Sequence, residues 1–475
     1  MTGKASVLLV LLLSLSSLCR AQATFTEFTI SSSTAGPSGL YACDLDEDGD
    51  LDLLAAVNEG NYFAWFRNDG GNPVNWTRLI IQTGMTGAHS IHANDIDGDG
   101  DLDVVGSTYG SSIYWFRNDG GDPLEWTSFT ITSSFTQAHE VYTVDIDNDG
   151  DIDVLGASSG QNRISLWYNL GGDPVEWSAQ ILDESCDMAK SVRAADFDGD
   201  GKPDVVSAAL LSSDVYWYGN GGGTPIDWTP HRIDLSFGGA HYVYPVDLDK
   251  DGHLDIVGAG YTGNYVAWWH NNGGNPPTFS RQLISTVSTN ACVAKAADID
   301  LDGNIDVVAT EQGSNTVVWF RNTGGDPINW ERNVITHTFS RPWPLELCDL
   351  DGDGDVDIFS ASSYNGSNEV KWWRNDLITS GVGEIPDSSN EWRLGVYPNP
   401  SNASTTLSIQ VERTGRVTLA VFDLLGREVA RPVDQSLTPG VYNVPFVATD
   451  LPSGSYFLRM QSTGFSQTKR LMLVR

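Results

Sequence analysis

The residues best equipped for chemistry in this 475-residue chain are aspartates in a nine-residue pattern, D-x-D-x-D-G-x-x-D, that occurs seven times. The copies open at Asp44, Asp95, Asp145, Asp196, Asp247, Asp298 and Asp349, fifty or fifty-one residues apart. Third-position carboxylates are Asp46, Asp97, Asp147, Asp198, Asp249, Asp300 and Asp351. Fifth-position ones are Asp48, Asp99, Asp149, Asp200, Asp251, Asp302 and Asp353, and ninth-position ones Asp52, Asp103, Asp153, Asp204, Asp255, Asp306 and Asp357. A hard cation takes roughly six to eight oxygens, and alternate residues of a tight loop bring three carboxylates to one point. The invariant sixth-position glycine permits the positive φ that folds the loop back, so that the ninth aspartate also reaches the ion. Position seven varies (Asp50, Lys202, His253, Asn304), as suits a site that uses only its backbone carbonyl. Up to seven structural Ca2+ ions are therefore expected. An EF-hand is excluded, because position twelve holds Ala55, Gly106, Gly156, Ser207, Gly258, Ala309 and Ser360 where that loop requires a bidentate Glu. A plain acidic turn does not explain seven copies, since clustered carboxylates repel one another without a cation.

The elements that must hold these loops are strands. Flanks such as Asp103-Val104-Val105 are short and β-branched. The second unit reads as four strands, His89 to Asp95, Leu102 to Ser107, Ile113 to Arg117 and Trp126 to Thr132, with Asn118-Asp119-Gly120-Gly121 as a hairpin signal. A period near fifty built from four-strand units describes a β-propeller. An aromatic stands nineteen residues before each loop, beginning with Phe25, so residues 25–30 repeat the strand at Trp126 without a preceding partner. The last W-W-R-N strand has no successor. Pairing of residues 25–30 with residues 370–374 would close a seven-bladed ring and remove its open edges. The repeated tryptophans Trp65, Trp115, Trp217, Trp268, Trp319 and Trp372 are read as packing between blades.

The net charge of −35 sits largely in the loops and argues against nucleic acid as a partner. Lys4, the apolar run Val7 to Leu15 and Ala21-Gln22-Ala23 have the layout of an export signal over residues 1–23, too short to be a stable membrane anchor. No transmembrane segment is expected elsewhere. Four cysteines follow it, and Cys43 and Cys348 share one repeat position, where either a disulfide or two buried thiols would fit.

With these loops, residues 24–376 resemble the FG-GAP or VCBS family of calcium-loop propellers, similar to the head of integrin α subunits and to certain fungal lectins. The resemblance implies calcium-stabilised binding outside the cell and no particular chemistry. Ligand candidates are the residues that break the repeat. Six residues before each loop stand Ser38, His89, His139, Lys190, His241, Cys292 and Trp343. Propeller geometry puts this position at the channel mouth opposite the calcium loops, with Tyr109, Tyr261, Tyr364 and Arg341 nearby. Such a polar-aromatic bowl suits an extracellular glycan or protein ligand. The competing reading makes Ala-His a packing motif whose imidazoles satisfy neighbouring backbone. A shared transition metal is disfavoured here because His241 lies further round the ring. Catalysis is not expected: Glu59, Glu140, Glu311 and Glu346 look scattered, where glycoside hydrolysis needs two carboxylates at a fixed separation. An extracellular carbohydrate-active enzyme, a polysaccharide lyase or hydrolase, is the alternative.

After a linker at residues 377–392, residues 393–475 alternate as strands, Thr405 to Val411, Val417 to Asp423, Tyr442 to Ala448 and Tyr456 to Gln461, and should form a small β-sandwich. Tyr397 to Pro400, Val421 to Arg427, Leu451 to Tyr456 and Lys469 to Arg475 resemble the type A C-terminal sorting domain of type IX secretion. That resemblance implies the type IX machinery as partner and a product secreted by, or held on the surface of, a Gram-negative bacterium. The overall expectation is an all-β chain, a seven-bladed propeller closed by its N-terminal strand and followed by the sandwich.

Overall fold

The structure is a computed structural model that describes residues 23–71, 73–363, 366–377, 393–397, 404–411, 413–422, 427–438, 440–447, 451, 454–462 and 465–473. Residues 1–22 of the expected export signal, nearly all of the expected linker, Tyr364 and Pro398 to Pro400 of the sorting-domain motif lie outside these. The chain divides into a unit ending at Thr379 and a second beginning at Ser380.

The first unit contains seven four-stranded antiparallel sheets. In the second blade the inner strand is Ala88–Asn94, followed by Asp103–Thr108, Ile113–Asn118 and the outer strand Trp126–Thr132. Second strands are buried along their whole length, Asp103–Thr108 and Asp306–Glu311 alike, because each runs mid-blade with neighbours on both faces. Small, β-branched residues suit that position. Gly106 shows why position twelve stays small: a Cβ there would lie 2.5 Å from the Phe63 ring of the preceding blade. Outer strands such as Trp126–Thr132 bury less and alternate toward solvent.

The ring closes as the aromatic register requires. Phe25–Ser31 pairs antiparallel with Val370–Asn375, placing Phe25 opposite Asn375 and Phe28 opposite Trp372. Phe28 stacks on Trp372 at 4.9 Å, and Glu27 accepts from Trp373 Nε1 at 3.1 Å and from Lys371. This blade therefore joins strands more than 340 residues apart in sequence. The repeated tryptophans Trp65, Trp115, Trp217, Trp268, Trp319 and Trp372 are all buried, as blade packing demands.

The second unit has two sheets over one core. Arg393–Tyr397, Ser404–Val411 and Gly440–Val447 form one; Glu428–Leu437, Gly415–Phe422, Gly454–Ser462 and Phe465–Leu473 form the other. Leu394, Leu407 and Ile409 meet Val417, Leu419 and Leu458 between them. The sequence pattern showed four of these strands and missed Arg393–Tyr397, Glu428–Leu437 and Phe465–Leu473. All three lie at sheet edges, where half the backbone pairing is absent and polar residues are tolerated. Pro432 sits in one of them, as edge position allows.

Candidate functional site

Each acidic loop joins an inner strand to a second strand, and the same bonds recur in all seven. The sixth-position glycine has φ between +86° and +104°, and its N–H donates to the first aspartate, as from Gly201 to Asp196 Oδ2 at 2.9 Å. The seventh N–H donates to the fifth aspartate, as from His253 to Asp251 Oδ1 at 2.8 Å. These bonds pre-set the carboxylates. In blades three and four the first, third and ninth aspartates converge (Asp145, Asp147, Asp153; Asp196, Asp198, Asp204), and in blades one and two the first, third and fifth do so.

The donor set fits a divalent cation. Oδ1 of Asp97, Asp247 and Asp349 is buried and meets no hydrogen-bond donor among the described residues. Burial above all, together with crowding by other aspartates, pushes the carboxyls of Asp52, Asp103, Asp153, Asp255 and Asp306 up to about 7, and that of Asp357 to about 8. A bound ion would relieve that cost directly.

Two features of the loops were not visible in the pattern. The ninth aspartate is a backbone clamp as well as a candidate ligand: Asp255 Oδ1 accepts from Asn271 N at 2.7 Å and Oδ2 from Leu248 N at 3.1 Å. The asparagine ending the third strand, Asn169, Asn220, Asn271 or Asn375, then ties its blade to the one before. Asn271 Nδ2 reaches Leu254 O and, across to the preceding blade, Phe197 O, both at 3.0 Å. The loops also differ. Arg321 spans Asp300 and Asp302 in blade six at 2.5 and 3.3 Å, whereas in blade five His270 Nδ1 lies 3.1 Å from Asp249.

A cavity of about 500 Å³ lies among the inner strands and is lined by two tiers. The upper tier is the position six residues before each loop, and Ser38, His89, His139, Lys190, His241 and Trp343 all line the cavity. They arrive there because pairing between inner and second strands slips at this position in every blade, as between Ala88 and Ser90 or Ala138 and Glu140. A bulge of this kind re-aims a side chain that regular pairing would direct elsewhere. Cys292 is the exception, buried in the hydrophobic core.

The histidines come together more closely than the sequence reading allowed. His139 and His241 have ring centres 5.6 Å apart, so the expectation that His241 stands too far round the ring is corrected. The ring is small at this level and the bulges turn the side chains inward. Trp343 packs 5.5–5.6 Å from His89, His139 and His241, while Tyr109 and Tyr261 lie against His89 and His241 at 5.3 and 5.6 Å. The result is a buried plug, with His89 2% and His139 and His241 each 6% exposed, where an open bowl was expected. Each Nδ1 contacts the bulge-residue carbonyl of the next blade at 2.8–2.9 Å, which is the packing motif weighed from the sequence. Burial, reinforced by Lys190, lowers His89 and His241 to about 3, and burial lowers Lys190 to about 8. Arg341 is exposed, with φ +48°.

The lower tier, three residues before each loop, was missed apart from Glu346. It comprises Tyr41, His92, Tyr142, Arg193, Tyr244, Lys295 and Glu346, all half-buried and lining the cavity. His92 packs between Tyr41 and Tyr142 at 4.2 and 5.0 Å, and the Arg193 guanidinium sits 5.1 Å from both Tyr142 and Tyr242. Glu140 pairs with Arg193 at 2.7 Å and Glu346 with Lys295 at 2.6 Å. Burial opposes both cations, but these carboxylates outweigh it and hold Arg193 and Lys295 above their ordinary ranges. Two of the acids read as scattered thus share one cavity; Glu311 is buried against Arg332 at 2.9 Å and does not line it. Aligning the units at the fifty-residue period would have exposed this tier, because its residues vary where strand neighbours stay small and apolar. Cys43 and Cys348 are free thiols, pushed up by burial.

Fold and loops together define a β-propeller with acidic loops that could hold metal ions, and comparison with known proteins agrees. The FG-GAP-like repeat model matches residues 44–106, 95–156, 145–207, 196–258, 247–309 and 298–360, overlapping stretches that run across all seven loops. The chain belongs to the FG-GAP-like repeat family. Residues 395–474 match the secretion system C-terminal sorting domain, which marks proteins exported by type IX secretion to the cell surface or medium. No curated protein matches. Among solved structures, BBS1N in complex with ARL6DN is similar at 10–11% identity with TM-scores of 0.50 and 0.52, covering 76% of this chain and 99% of that one. PorZ, a surface component of the type IX secretion system of Porphyromonas gingivalis, matches at 15% identity and TM-score 0.45, over 90% of this chain and 58% of that one. At these identities the first pair shows the fold alone. Among the described residues no helix is long and apolar enough to cross a membrane.

Proposed function

We propose that this exported propeller is a calcium-stabilised binding module, used in adhesion, that takes an extracellular glycan or protein segment in its axial channel. Up to seven Ca2+ ions rigidify the rim and take no part in chemistry. The observation that carries the reading is the lower tier: Tyr41, Tyr142 and Tyr244 interleaved with His92, Arg193, Lys295 and Glu346 around one cavity. Rigid aromatic surfaces with a few fixed polar groups suit recognition of a ring-shaped polar ligand.

A carbohydrate-active enzyme is the second reading, favoured by Glu140 and Glu346 lining the same cavity. Each is already engaged by its own cation, an arrangement that supports recognition over proton transfer. A glycan array probed in calcium, with Tyr142→Ser beside the wild type, tests the module: retention that the substitution removes supports it, and a blank array counts against the glycan form. New reducing ends or unsaturated uronates from a polysaccharide panel would replace it with the enzyme.

A further inference from the structure

The plug at the upper tier holds more than a packing motif requires. His89 and His139 have ring centres 4.3 Å apart, and His241 lies 5.6 Å from His139. Nδ1 of each ring faces a backbone carbonyl, of His139, Lys190 and Cys292 in turn. A carbonyl only accepts, so Nδ1 carries the proton and, in the neutral ring, Nε2 is left as a bare lone pair. Those of His89 and His139 are buried and meet no hydrogen-bond donor among the described residues. Buried polar atoms in folded proteins nearly always find a partner, and an exception calls for one that is missing.

We propose that His89, His139 and His241 form a site for one divalent transition-metal ion of the zinc class, bound through their Nε2 atoms. An ion ~2 Å from each ligating nitrogen holds imidazole centres about 5 Å apart, and the His89–His139 and His139–His241 pairs, at 4.3 and 5.6 Å, lie on either side of that spacing. The carbonyl bonds, each from the blade that follows the histidine's own, are the outer partners such ligands need, fixing tautomer and ring orientation. Three imidazoles select borderline metals such as Zn2+, Cu2+ and Ni2+ over Ca2+, so this ion differs in kind from those of the rim. Trp343, packed against all three rings, walls the site. Lys190 lines the same cavity with no carboxylate paired to it among the described residues, and its charge opposes the ion. The site depends only on the histidines and stands whichever ligand the lower tier takes.

The test uses the full chain, stripped with chelator, returned to excess calcium to fill the rim and titrated with ZnCl2. One equivalent of Zn2+ should bind, and one Cu2+ should give an electron paramagnetic resonance signal split by nitrogen. His139→Gln should weaken binding by about 100-fold or more, and Lys190→Met should tighten it several-fold by removing the opposing charge. His89→Gln serves if His139→Gln does not fold. Uptake unchanged by the histidine substitutions, a copper signal without nitrogen splitting, or no uptake beyond the rim would overturn the proposal and leave water as the occupant. So would weaker uptake in Lys190→Met, which would point to an anion pocket. Glycan retention is scored without transition metal, so the binding-module reading can fail or survive separately.

Discussion

The rim and the channel of this propeller are built from the same strands by opposite rules. At the rim, seven loops repeat the same aspartates, glycine and asparagine and the same hydrogen bonds, so each blade is held as its neighbour is. Along the channel, equivalent positions hold side chains that change from blade to blade around one cavity. Repetition suits a stability problem that is identical in every blade. In the proposed binding module, recognition is solved once, at the axis where the inner strands meet, and there the repeat has to be broken.

Calcium removal should separate the two regions most sharply. Extracellular sites bind at ~0.1–1 mM, so millimolar calcium contributes about 0.5–1.5 kcal/mol at each, or roughly 3–10 kcal/mol over the rim. Scanning calorimetry in chelator should show a melting temperature lower by about 10 °C, and an unchanged melt would remove calcium from the account.

The pH response sharpens the same point. The ninth-position carboxyls stand at about 6 to 8 in the folded chain against 3.8 ordinarily. A raised value gives stability that is complete below about pH 4 and lost as pH climbs through 7. Calcium-free protein should therefore melt higher at pH 5 than at pH 8. Calcium, which needs the ionised carboxylates, should narrow or reverse that gap, and melts with the opposite order in chelator would contradict the burial seen here.

Single substitutions probe the contrast at smaller scale. Asn271→Ala, which frees two buried carbonyls and unties blade five from blade four, should cost about 1–3 kcal/mol in chemical denaturation without changing ligand retention. Tyr142→Ser should do the reverse, abolishing retention while costing less stability than Asn271→Ala. If both substitutions reduced stability and retention together, the division between rim and channel would fail. Smallest is Arg321→Met: freeing Asp300 and Asp302 should raise calcium affinity at blade six by a few fold, measured by calcium titration against the wild type.

Much of this was legible because repeats expose their own rules. Asp44 and its six counterparts, Gly49 and its counterparts, and the aromatic register of Phe25 each appear at a fixed period, and a constraint imposed seven times is visible without any second sequence. The channel was harder. Arg193 and Glu140 stand at repeat positions whose residue changes from blade to blade, and their partnership crosses from one blade to the next. The edge strands of the sorting domain escaped for a different reason, since half-paired backbone imposes a weaker pattern on its side chains.

By itself, then, the sequence determined the blade count, the acidic loops and the closing strand, which follow from local spacing and backbone propensity, and it carried the export module as a family resemblance. Only the tertiary structure decided which side chains face the axis. A one-residue bulge in each inner strand turns His89, His139 and His241 inward and brings residues fifty and a hundred positions apart into contact. Such a slip leaves the order of residues unchanged and alters only the direction of a side chain, which pairing between neighbouring strands sets.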